Sequence, residues 1–323
     1  VHPGQDCSLT ALEGTVYDKF YDPQGILVDP TVDKKRLAAR ISGQTGHHTF
    51  FVLVEQEEMK WWQPVNVNIK QEMMPAVLPF THVKADSCEP IDITSAFNAS
   101  VTDIYRNEYL SPRSPYTTLQ LPKQGIGEWC HPTLTADIDD SGMRALVRDG
   151  LLSTNLGVSF RTPEKGNNIA FTSLWDNYPD SLSIPLTGRA SRAYLLMAGS
   201  TNHMQCHIVN GVVRVHYADG TAETLELVNP ENWCPIEQDF YVDGMAFRLQ
   251  SPRPYRLHLK SGLVSNNLEK DLNITGVYGR PIDGGAGILL DMPLNPDKDL
   301  KRITLETVSN DVVIGLMGIT LQK

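Results

Sequence analysis

Cysteine is scarce and poorly placed for cross-linking: Cys7, Cys88, Cys130, Cys206 and Cys234 are odd in number and widely separated along 323 residues. That excludes a dense disulfide framework and leaves at least one thiol unpaired; without a C-x-x-C pair it also excludes zinc-finger spacing. A single bridge, if one forms, joins Cys206 to Cys234, which flank one predicted hairpin. Cys130-His131 and Cys206-His207 make a poor composite zinc site, because neighbours in a strand point to opposite faces. Long apolar runs are missing as well. None reaches the ~18 residues of a membrane span, so no membrane insertion is expected. Basic residues are outnumbered, 28 Lys and Arg against 38 Asp and Glu, for a net charge of −10. An acidic surface repels phosphate backbones and anionic bilayers, which argues against nucleic acid and leaves neutral glycans or small molecules as easier partners. There is no Gly-x-Ser-x-Gly elbow, P-loop or Rossmann fingerprint; Gly284-Gly285-Ala286-Gly287 precedes a strand and reads as a turn. The chain opens at Val1 with no initiator Met, as expected either of a removed signal peptide or of a piece of something longer.

What is present is punctuation. The chain has 24 Gly and 21 Pro, and short apolar runs alternate with turn clusters such as Asp22-Pro-Gln-Gly25 and Pro163-Glu-Lys-Gly166. This predicts an all-β protein, with Thr31–Ala39 and Asp140–Gly150 as the two stretches that read as helices. Arg192–Thr201 is a compact apolar run that predicts a buried strand. Val212–Tyr217 and Thr221–Val228 then alternate about a turn. A two-residue Asp219-Gly220 loop would set Val213 opposite Glu226 and mix apolar with polar side chains on one face. A three-residue Ala218-Asp219-Gly220 loop, with Gly220 left-handed, sets Val213 opposite Leu225 and is the form expected. A join near Met73–Pro79 separates an N-terminal β segment, residues 1–75, from a β-sandwich over residues 76–323 that carries a Pro-, Tyr- and Gly-rich insertion at about 98–156. The first segment shows three strands, Leu37–Ile41, Thr49–Glu55 and Val65–Ile69, and could be the tail of a preceding domain.

The order Gly157-Val-Ser-Phe160, Asn167-Asn-Ile-Ala-Phe171, Ser183-Ile-Pro-Leu186, Tyr194-Leu-Leu-Met-Ala-Gly199, Tyr217-Ala-Asp-Gly220, Lys301-Arg-Ile-Thr-Leu-Glu306 and Val313-Ile-Gly-Leu-Met-Gly-Ile-Thr320 resembles the galactose-binding-like jelly roll. The resemblance runs from about Ile91 to the C-terminus, interrupted by the insertion. Within it, the insertion and Asn229-Pro-Glu-Asn-Trp233 are similar to an uncharacterised C-terminal β-sandwich family of predicted six-hairpin glycosidases from glycan-degrading bacteria. What the resemblance implies is a jelly-roll β-sandwich, a secreted or periplasmic bacterial location, polysaccharide utilisation, and a catalytic domain in the same parent chain. Fold analogy does not by itself establish function.

Sugar recognition uses aromatic faces beside hydrogen-bonding groups, and loops at the ends of a sandwich are where such groups are held. Trp129, Trp175, Asn177, Glu231 and Trp233 are therefore the residues expected to bind a glycan or oligosaccharide. Glu128, beside Trp129, is the candidate catalytic acid, but a glycoside hydrolase needs a second carboxylate at a defined separation. Asp137, Asp139 and Ser141 match the first half of a calcium-binding EF-hand loop with Gly142 at its sixth position. Arg148 stands where the bidentate Glu is required, so a structural calcium ion would need ligands from elsewhere, and no other cofactor is expected. Three functions remain open: a non-catalytic carbohydrate-associated module, a glycoside hydrolase using carboxylates of the insertion, and a purely structural packing module.

Overall fold

The computed structural model describes the chain except for residues 2, 44–45, 70–86, 108–136, 176, 202–204, 241–248, 250–252, 276–279 and 311. Glu128, Trp129 and Cys130 lie outside the described residues. The protein is all-β, built of antiparallel sheets, and divides into two compact units, Val1–Met74 and Pro75–Lys323.

Among the described residues the first unit has six strands: β1 (Asp6–Thr10), β2 (Val16–Tyr21), β3 (Leu27–Asp33), β4 (Arg36–Ile41), β5 (Gly46–Gln56) and β6 (Met59–Ile69). They form two three-stranded sheets in the orders β1-β4-β3 and β2-β5-β6. Leu37, Ala39 and Ile41 from one sheet meet Phe50, Val52 and Ile69 from the other in a shared core. The two sheets thus share one buried core. The helix expected over Thr31–Ala39 is instead the β3–β4 hairpin. The Asp33 carboxylate accepts hydrogen bonds from the Lys35 and Arg36 amides at 2.7 and 2.8 Å, which closes the turn at Lys34-Lys35. Beyond it, Leu37, Ala39 and Ile41 recur at period two and bury together.

The second unit contains β7 (Cys88–Ile91), α1 (Ser141–Leu146), β8 (Leu151–Ser153), β9 (Ser159–Arg161), β10 (Ala170–Ser173), β11 (Ser181–Pro185), β12 (Arg192–Thr201), β13 (Val209–Tyr217), β14 (Ala222–Val228), β15 (Tyr255–His258), β16 (Val264–Ser265), α2 (Leu268–Asp271), β17 (Ala286–Pro293), β18 (Leu300–Thr307) and β19 (Val312–Gln322). The larger sheet runs β10-β19-β12-β17-β15-β16, with β7 also paired to β19, and the smaller runs β11-β18-β13-β14. From β10 onward the chain alternates between these sheets, apart from the β13–β14 hairpin and the β15-to-β17 stretch. Leu195, Met197, Ile288 and Leu290 of the larger sheet pack against Val213, Leu225, Ile303 and Leu305 of the smaller. On the opposite face, Tyr194, Leu196, Leu289 and Met317 meet Ile104, Met143, Leu152 and Phe160. Burial on both faces is why β12, β17 and β19 read as unbroken apolar runs rather than as alternating ones.

A bulge in β19 shows how such a run keeps register. Leu196 pairs with Gly318 and Met197 with Leu316, leaving Met317 as the extra residue. The residues turned to the sandwich core therefore change parity, from Val312, Ile314 and Leu316 to Ile319 and Leu321. The β13–β14 hairpin has the expected three-residue loop: Val213 lies opposite Leu225, and Gly220 has φ 89°. The first half of the helix read over Asp140–Gly150 is present as α1, which ends where Arg148 turns back to pair with Leu151. Cys206 and Cys234 are free thiols, so the bridge expected between them is not formed. Cys234 is sequestered in the sandwich core, and burial pushes its thiol up to about 12.

Candidate functional site

The stretch expected to present Glu231 and Trp233 is folded inward. Asn232 is the clamp: its side-chain oxygen accepts from the Val228 amide at 2.8 Å, and its nitrogen donates to the Glu226 carbonyl at 2.8 Å. Every residue from Asn229 to Phe240 is buried. The Trp233 ring lies against Gly199 of β12, where a Cβ would come within 2.8 Å of the ring and 2.1 Å of the Val313 carbonyl oxygen. Only glycine admits that approach. Trp175 is also buried, with its ring nitrogen donating to the Asn310 carbonyl. Neither indole offers a face to a sugar, so both assignments as stacking platforms are corrected: the rings fill the two cores of the sandwich. Glu231 is buried, 3.8 Å from His207 Nδ1, whereas Asn177 is exposed in its loop. The structure brings Glu231 and Trp233 into one segment but makes no open surface of them.

The acidic loop is explained by its local bonding. Asp139 accepts from the Ser141 amide at 3.0 Å, and its hydrogen bonds from Ser141, the side chain before the backbone, hold its carboxyl below the usual range. Asp140 turns inward to Arg144 and Asn168, each at 2.8 Å. Gly142 is required by packing, since a Cβ there would sit 2.0 Å from the Lys260 carbonyl oxygen. Asp139 and Ser141 thus open α1, and Asp137 lies exposed ahead of them. Among the described residues no group of three or more His, Cys, Asp and Glu side chains is placed to hold a metal ion.

Sequence reasoning missed Glu237. Strands β12 and β17 diverge beyond the Met197–Ile288 pair, and Ile236 fills the gap: its amide donates to the Gly199 carbonyl and its carbonyl accepts from the Ala286 amide, both at 2.8 Å. Glu237 is carried into the interior with it. One carboxyl oxygen accepts from the Tyr105 hydroxyl, and the other is buried with no hydrogen-bond partner among the described residues. Burial, opposed by the Tyr105 bond, pushes its pKa up to about 7. Nearby, the fully buried Arg256 guanidinium donates to the carbonyls of Pro235 and Ala286 at 3.0 and 2.8 Å and to that of Gln238. Asp239 pairs with Arg280 at 3.1 Å. A carboxyl that keeps its proton near neutrality is the kind an acid catalyst needs. Here it is enclosed, and its proton-bearing environment is that of an interior polar contact. The signal in the sequence was the apolar Trp233-Cys-Pro-Ile236 run directly before it, which marks the segment as interior.

No known protein family matches the chain, and no curated protein does. Among solved structures, a SusE-like protein aligns over 100% of this chain and 92% of its own, at 11% identity and a TM-score of 0.20. At that score the likeness supports no statement about fold or function. Among the described residues no helix is long and apolar enough to cross a membrane.

Proposed function

We propose that the chain is a non-catalytic, carbohydrate-associated β-sandwich module of a secreted or periplasmic bacterial glycan-degrading protein, its larger unit supporting a catalytic domain of the same parent chain. The alternation of strands between two sheets supports reading that unit as a galactose-binding-like jelly roll. One observation carries the non-catalytic reading: Asn229–Phe240 is buried from end to end, and with it the carboxyl groups of Glu231, Glu237 and Asp239. Groups so enclosed pack and orient a scaffold. The second reading, a glycoside hydrolase, is favoured by the raised pKa of Glu237 alone. The test is release of reducing ends from a panel of polysaccharides and aryl glycosides by the intact chain. No release above that of the boiled chain is expected. Release that disappears in Glu237→Gln or Glu128→Gln would make the protein a hydrolase.

A further inference from the structure

Resting on that carbohydrate-associated reading, we infer that the glycan-binding surface is the outer face of the β2-β5-β6 sheet in the N-terminal unit, and that its ligand is an uncharged glycan chain. Strand parity builds this face. Phe50 and Val52 of β5 point to the core, so Phe51 and Leu53 point away from it; Tyr21 pairs with Phe51, and Trp62 with Leu53. The three rings gather into one cluster. Tyr21 and Phe51 stack at 6.2 Å between centroids and 26° between planes, while Tyr21 and Trp62 meet at 6.4 Å and 67°. Tyr21 is 58% exposed and Trp62 44%. None of the three belongs to the buried core of this unit, and an exposed aromatic cluster of this kind marks a binding surface.

The polar groups of the face identify the ligand. Thr49 and Asn66 pair directly across β5 and β6 on the same face, with the hydroxyl donating to the amide oxygen at 2.9 Å. They lie two residues along the strand from Phe51, about 7 Å at the usual rise. At the margin Lys19 and Lys60 balance Asp18 and Glu55, with Lys60 at 3.1 Å from Glu55 and 3.9 Å from Asp18. Lys19 lies over the Trp62 ring, its Nζ 5.9 Å from the centroid. Rings for the C–H face of a sugar, an amide and a hydroxyl for its hydroxyl groups, and a locally neutralised margin complement an uncharged polyhydroxylated chain. A phosphate-bearing surface would instead meet a chain of net charge −10.

The test is native affinity electrophoresis of the full chain through gels containing xyloglucan, galactomannan, laminarin or pullulan, with circular dichroism and sedimentation velocity on each variant. The wild type is expected to be retarded by at least one of these neutral polysaccharides, and Trp62→Ala and Tyr21→Ala each to weaken that retardation about tenfold while remaining folded. Trp62→Phe should keep most of it. Trp61 pairs with Val54 and lies on the other face of the same strand, so Trp61→Ala is the control and should bind as the wild type does. If the wild type is retarded and both Trp62→Ala and Tyr21→Ala are retarded equally, this site is wrong while the carbohydrate reading stands. An equal loss in Trp61→Ala would likewise overturn the site. No retardation in any gel overturns the site and leaves the supporting role of the larger unit standing. Conversion of a dimer to a monomer by Trp62→Ala would make the face a self-association surface and overturn the proposal.

Discussion

Glu237 shows at the residue scale how burial is converted into a dependence on pH. Its pKa rises from 4.5 to about 7 on folding, so the native state holds the proton more tightly than the unfolded chain does. The stability this contributes is fully present below the unfolded value, falls as pH rises between the two values, and is lost above about 7; a shift of this size is worth on the order of 3 kcal/mol. Burial raises Asp291 in the same direction, opposed by the Arg192 guanidinium beside it. Glu237→Gln preserves an acceptor for the Tyr105 hydroxyl and has no proton to lose. Urea denaturation from mildly acidic to mildly alkaline pH should therefore show a loss of stability in the wild type that is visibly smaller in Glu237→Gln. Identical slopes would mean that Glu237 is not the group that holds the proton.

Two glycines separate, at the scale of elements, the cost of close packing from the cost of backbone conformation. Gly199 sits in β12 with an ordinary strand backbone, but a Cβ there collides with the Val313 carbonyl and the Trp233 ring. Gly220 has φ 89° in the hairpin loop, with nothing among the described residues within 4 Å of a Cβ. Gly199→Ala should thus destabilise the larger unit by about 3 kcal/mol through overpacking, and Gly220→Val by about 1 kcal/mol through strain alone. Gly220→Asn should recover part of the second loss, because Asn tolerates the left-handed region. Denaturation midpoints at one pH check the order; a Gly220→Val variant as damaged as Gly199→Ala would show the loop to be packed against something. The hairpin was legible in the sequence because its evidence is local: a turn residue and the side-chain parity on either side of it. The β3–β4 hairpin was not, because Asp33 can cap a helix or close a turn, and only Leu37, Ala39 and Ile41 burying together decides between the two.

The whole molecule contains two units with separate cores, one gathered around Phe50 and Val52, the other between and beyond the sheets that carry Leu195 and Val213. Cooperative melting follows the buried contacts, so differential scanning calorimetry should resolve two transitions. Val52→Ala should lower the smaller one and leave the other in place, and Leu195→Ala should do the reverse. A single transition displaced by either variant would show that the units melt as one.

The sequence by itself determined the class of this protein and much of its strand inventory. Short apolar runs, period-two alternation and turn residues are properties of neighbouring positions, and they survive whatever the rest of the chain does. The fate of the tryptophans belonged to the tertiary structure. Trp175 and Trp233 have the composition of a sugar site around them, yet Asn232 folds one segment down and Gly199, far away along the chain, opens the space that receives the Trp233 ring. Tyr21, Phe51 and Trp62 come from three strands and become one cluster only when β2 and β6 pair to either side of β5. Whether a ring is core or surface depends on what lies across from it, and that information is carried by residues too distant for any local pattern to report.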